Sequence, residues 1–136
     1  MAVLAAGLGL AFAAGAQDAV KARQDGMKAI GGNFRAINQA LQAGTLTPDL
    51  AGKAGEIKAS AARIPAWFPA GSTGGNALPP VWEKPADFAA AAKRLEDAAA
   101  ALEAALRSGG LDAAKAAAPA VGQSCGGCHG TFRARI

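Results

Sequence analysis

The chain has 136 residues, room for one domain and little more. Its 14 Lys and Arg against 10 Asp and Glu give a net charge of +4. These charges are interspersed, with no basic run and no basic–aromatic alternation, which argues against nucleic acid as a partner. Hydrophobic residues make up 51%, but much of that is alanine, with five Phe, two Trp and no Tyr. Alanine favours helix yet offers little apolar area, so a large apolar cofactor would complete a core that the side chains alone leave thin.

Met1 to Ala16 carries no charge and ends in Ala14-Gly15-Ala16 before Gln17. An apolar stretch closed by an A-x-A site predicts a secretory signal, residues 1–16, removed to leave a soluble domain of residues 17–136. The stretch is too short to span a membrane, so no membrane insertion is expected once it is removed. No Lys or Arg precedes it, which points to an upstream start or an atypical signal.

The first helix is expected over about Ala19 to Ala43. Val20, Met27, Phe34 and Leu41 recur every seven residues, and Ile30 and Ile37 fill the alternate seam positions, giving one buried stripe. Arg23 is the polar residue of that seam. Its long side chain is expected to reach solvent or a cofactor carboxylate. Gly31 and Gly32 each cost about 1 kcal/mol relative to alanine in a helix interior. Something is therefore expected to approach the helix closely there, either a planar cofactor or a neighbouring helix. Gly44 is the expected stop.

Thr47-Pro48-Asp49 opens a second helix, with Thr47 as N-cap and Pro48 at the first helical position. Leu50, Ile57, Ala61 and Ile64 mark its inner face, and Pro65 ends it near Arg63. Residues 65–84 hold four of the seven prolines and predict a long irregular crossover, whose Trp67, Phe68 and Trp82 fold back over the core. A third helix is expected from Pro85 to Arg107, with Phe88, Leu95, Leu102 and Leu106 inward and Gly109-Gly110 as its stop. A fourth starts at Asp112. Pro119 should kink it or begin a new helix there. No period-2 alternation predicts a strand. The expected fold is all-α, an antiparallel up-down four-helix bundle enclosing one covalently bound cofactor between facing helices.

Cys125-Gly126-Gly127-Cys128-His129 is the C-x-x-C-H signature of haem c attachment. Two thiols three residues apart can each add to one vinyl group of the same porphyrin edge, and the next imidazole is brought under the iron. A redox C-x-x-C wants a βαβ context that is absent, and a structural zinc site wants four ligands. His129 is the sole histidine and the expected proximal ligand. Seven residues follow it, so a second axial ligand is expected from upstream. The only methionine after the signal is Met27, on the seam of the first helix. Met27 ligates the iron, fills the distal side without bonding, or leaves that side open.

The sequence resembles the class II c-type cytochromes, which include high-spin cytochromes c′ and low-spin cytochromes of the c-556 type. The resemblance spans residues 17–136. It rests on Arg23-Gln24-x-x-Met27-Lys28, on Pro65-Ala66-Trp67-Phe68-Pro69 and on Cys125 through Phe132-Arg133. It implies thioethers at Cys125 and Cys128, His129 as proximal ligand, Arg133 as the basic residue beside that histidine, and Met27 on the distal side. It favours Met27 as sixth ligand. The function then expected is single-electron transfer with redox partners in the periplasm of a Gram-negative bacterium. The alternative is five-coordinate iron that binds nitric oxide or carbon monoxide. No enzymatic turnover is expected, because a distal acid–base histidine is missing. The resemblance also allows a homodimer through the first two helices.

Overall fold

The computed structural model describes residues 7–136, with side chains from residue 15 onward. Of the expected signal, residues 1–6 lie outside the described residues. Helix α1 spans Gly7–Ala43 and passes unbroken through Ala16 and Gln17, so it begins well before the expected Ala19. The reason is composition, since the alanine-rich stretch is itself a good helix former.

Helix α2 spans Asp49–Arg63, followed by a 3-10 turn at Ile64–Trp67. Pro48 already has helical dihedrals, as expected for a first-turn proline, and makes no side-chain cap. The Thr47 hydroxyl turns to the Asp49 carboxylate and holds that group below the usual carboxylate pKa. The crossover contains one further helical turn, α3, at Pro80–Glu83. Helix α4 spans Pro85–Ala104 and runs through a wide π turn, Ala105–Gly109, into α5 at Gly110–Phe132. Gly110 takes a positive φ of 79°, which lets the chain reverse.

Pro119 does not start a new helix: α5 runs on through it as one element. It removes the hydrogen bond to the Lys115 carbonyl. Both residues are exposed, so water can take that bond over. Among the described residues the only β pairing is an isolated antiparallel bridge between Ala77 and Arg133.

Contacts between helix ends give the topology. Gly44, closing α1, lies 3.9 Å from Leu111 at the start of α5 (measured from a Cβ placed on the glycine). Lys58 of α2 pairs with Glu103 near the end of α4 at 3.0 Å. At the other end, Trp67 after α2 lies against Gly26 of α1, and Phe88 opening α4 meets Phe132 closing α5. Neighbouring helices are therefore antiparallel, in the ring order α1, α2, α4, α5.

The largest fully buried side chains are Ile37, Ile57, Leu102 and Val121, one from each long helix. Around them Ala54, Ala61, Ala91, Ala92, Ala99, Ala114 and Ala118 are buried and small enough to let the helices approach closely. α2 packs most extensively on α4, and α4 on α5. α1 and α5 touch least among the ring neighbours. The bundle is thus tight on three sides and parted on the fourth.

Candidate functional site

Cys125, Cys128 and His129 lie on the last two turns of α5, all half-buried and with both thiols free. Burial pushes both thiols above the ordinary cysteine pKa. At Cys128 the neighbouring Cys125 adds to the rise and Arg94 opposes it. Burial also pushes His129 down, and the Arg133 guanidinium one turn later adds to this. At neutral pH the imidazole is therefore neutral, with a lone pair free for a metal. Among the described residues no three His, Cys, Asp or Glu converge as a metal-binding cluster.

One contact near the middle of both helices marks the register between α1 and α5. Gly122 lies beneath the Phe34 ring, with 3.6 Å from a Cβ placed on the glycine to the nearest ring carbon. Seven residues back along α1 stands Met27, and seven on along α5 stands His129. Because the helices are antiparallel, both lie about 10 Å further in the same direction, at about 1.5 Å per residue. Seven residues are nearly two whole turns, so each keeps the face of its reference residue. Met27 and His129 therefore face each other across the parted side of the bundle. Met27 is half-buried against the core.

Gly31, Gly32, Gly126 and Gly127 all have open space where a Cβ would stand. For Gly31 and Gly32 this corrects one expectation, because no neighbouring helix packs there. A planar apolar group joined to α5 through two thioethers and covered by α1 fits these residues. It would be held by Cys125 and Cys128, with the His129 imidazole available as a nitrogen ligand.

Arg23, one turn before Met27, does not reach solvent, which was one of its two expected destinations. It is 4% exposed. Its Nη1 donates to Ser72 Oγ at 3.1 Å, and Nη2 donates to the Ser72 and Gly74 carbonyls at 2.8 and 3.0 Å. The guanidinium carbon stacks 4.7 Å from the Phe68 ring centroid and 5.8 Å from that of Trp82. The physical reason is that the crossover supplies carbonyls and aromatic faces that satisfy a buried guanidinium. Burial lowers its pKa from the ordinary arginine value.

The aromatics continue toward the attachment motif. Phe68 packs edge-on to Trp82 and to Phe88, with centroids 6.2 and 4.8 Å apart, and Phe88 packs edge-on to Phe132 at 5.2 Å. Arg133, half-buried, pairs with Ala77 through its backbone. Ser72, Phe88, Phe132 and Gly122 were not legible as site residues, since each acquires its role only from a partner distant in sequence.

An antiparallel four-helix bundle with C-x-x-C-H on its last helix defines a class of proteins that carry haem c covalently. Comparison with known proteins narrows that class. The family model described as Cytochrome C' matches residues 18–133. A cytochrome c′ of Alcaligenes xylosoxydans xylosoxydans is 33% identical, over 86% of this chain and 94% of its own length. A cytochrome c-556 of Agrobacterium fabrum is 38% identical, over 92% of this chain and 85% of that relative. The match to a cytochrome c-554 of Cereibacter sphaeroides, at 40% identity, spans 60% of that relative. Among solved structures, a nitric oxide complex of a cytochrome c prime variant from Alcaligenes xylosoxidans superposes with a TM-score of 0.81. It is 29% identical, over 88% of this chain and 97% of that one. The chain belongs to the cytochrome c′ family, within the class II c-type cytochromes, and carries haem c through its cysteine pair.

Proposed function

We propose that this protein binds a diatomic gas, nitric oxide or carbon monoxide, at a five-coordinate haem iron. In this reading His129 is the proximal ligand, and Met27 fills the distal side without bonding. The observation that carries it is the likeness, over nearly the whole of both chains, to a cytochrome c prime solved with nitric oxide bound. The haem, when bound, supplies an iron centre able to take one small ligand or one electron. The chain's own residues do the rest. Cys125 and Cys128 anchor the group to a continuous helix, and burial keeps His129 neutral so that it can ligate. Arg133 lies beside the proximal side, where its charge acts on whatever gathers there.

A second reading has its own support. Met27 faces His129 at the same level across the bundle, as a sixth ligand would, and some relatives are named cytochrome c-556 and c-554. Met27 ligation would make the iron six-coordinate and suit it to single-electron transfer with redox partners. The optical spectrum of the holoprotein, with and without carbon monoxide, separates the two. A high-spin spectrum that shifts promptly with the gas supports gas binding. A low-spin spectrum with a sulfur-to-iron band that disappears in Met27→Ala sinks that reading and establishes the electron carrier.

Export to the periplasm with removal of residues 1–16 belongs to the same proposal. It is supported by the uncharged leader and by a family match that begins at residue 18. Among the described residues no helix is long and apolar enough to cross a membrane. Pairing of two copies through α1 and α2 is the remaining part, and sedimentation of the holoprotein tests it.

A further inference from the structure

The crossover is fastened at two places, one on each side of the parted face. On the α1 side, Arg23 binds Ser72 and Gly74, and Ser72 Oγ in turn donates to the Pro69 carbonyl at 2.7 Å. The same stretch lies close along α1. Trp67 covers Gly26, and Gly74 and Gly75 abut Val20 and Gln24 closely enough that a Cβ on either glycine would come within 3.2–3.3 Å. On the α5 side, Leu78 N donates to Phe132 O at 2.9 Å and Ala134 N to Asn76 O at 2.8 Å. The first fastening lies one turn before Met27. The second lies just beyond His129.

The two fastenings differ in kind. The α5 side uses backbone hydrogen bonds, which most side chains can support. The α1 side depends on one guanidinium, desolvated and stacked on Phe68 and Trp82, whose hydrogen bonds to three crossover oxygens have no backbone substitute. Without that cation, residues 69–75 keep no side-chain hydrogen bond to α1 among the described residues.

We propose that Arg23 is a positioning residue for the distal side, holding residues 68–75 as a strap across α1 so that Met27 is covered and small ligands reach it slowly. Arg23 does not touch the reacting atoms. It acts through the strap, by keeping the turn of α1 that bears Met27 closed from the crossover side. The inference rests on the reading that Met27 marks the distal side.

The test compares wild-type holoprotein with Arg23→Leu, Arg23→Lys and the milder Ser72→Ala. Two measurements are made on each: hydrogen exchange of the peptide covering residues 69–78, and the association rate of carbon monoxide with the ferrous protein. Loss of charge-assisted hydrogen bonds is expected to speed exchange in that peptide about tenfold in Arg23→Leu, with a similar rise in the carbon monoxide rate. Ser72→Ala should move both measures in the same direction but less, and Arg23→Lys should recover part of each. Unchanged exchange in Arg23→Leu and Ser72→Ala would overturn the fastening. Faster exchange with an unchanged association rate would overturn the control of access. Failure of the gas-binding reading shows separately, as a wild-type protein that is low-spin and takes up no carbon monoxide.

Discussion

The Trp67 indole lies directly on the backbone of Gly26, so that a Cβ built on this glycine would come 2.7 Å from one ring carbon. A rigid ring held by the 3-10 turn cannot yield as a flexible chain end does. Gly26→Ala is expected to destabilise the holoprotein by about 1–3 kcal/mol through overpacking, against about 1 kcal/mol of gained helix propensity. Urea unfolding followed by far-ultraviolet circular dichroism reads the difference. An unchanged midpoint would mean that the indole leaves α1 without loss.

Gly55 looks equally crowded, since the Glu103 carboxylate lies over it. Here the neighbour is the far end of a side chain that is salt-bridged to Lys58. Gly55→Ala should therefore be near neutral. The lost pairing is worth at most about 1 kcal/mol for a partly exposed ion pair and is offset by helix propensity. The same unfolding experiment decides it, and a loss as large as that of Gly26→Ala would contradict the distinction.

Gly31 and Gly32 have nothing near them in the polypeptide. In the haem-free chain, Gly31→Ala is expected to add about 1 kcal/mol of stability. If the porphyrin approaches α1 there, the holoprotein loses that gain and its spectrum changes. Comparing thermal unfolding of the two forms reads the difference directly.

Leu102 is fully buried among Ile37, Ile57 and Val121. Leu102→Ala should cost about 2–5 kcal/mol, because the alanine-rich surroundings have few large side chains to collapse into the cavity. Filling the opposite kind of site, as in Ala54→Leu, should cost about 1–3 kcal/mol by overpacking. Denaturant midpoints measured on the holoproteins check both.

Replacing both Cys125 and Cys128 by alanine should abolish haem staining on a denaturing gel, while either single replacement retains one thioether. Intact mass of the exported wild-type protein should correspond to a chain starting at Gln17 plus one haem. A mass that retained residues 1–16 would rule out the expected cleavage.

The attachment motif was readable because it is local. Cys125, Cys128 and His129 sit within five residues, and the chemistry needs only that spacing. The inner faces of the helices were readable for a similar reason, since Ile37, Leu50, Ile57, Leu95 and Leu102 repeat at helical intervals and are all buried. Arg23 shows where such reading stops. Its place on the buried seam was visible, but its partners Ser72 and Gly74 lie some fifty residues away in a segment with no period of its own. Pro119 shows the converse. A strong local breaker was overridden because its missing hydrogen bond falls on an exposed turn of an otherwise well-packed helix.

The sequence by itself determined the helices, their apolar faces and the residues that attach the cofactor, because periodicity, turn chemistry and thiol spacing act over a few residues. Only the tertiary structure decided that α1 and α5 part while the other neighbours close up, that Phe34 on Gly122 brings Met27 level with His129, and that Arg23 turns into the crossover. Those depend on which surfaces meet after the chain has reversed several times, and on a buried cation finding its hydrogen bonds wherever the fold places carbonyls and rings within reach.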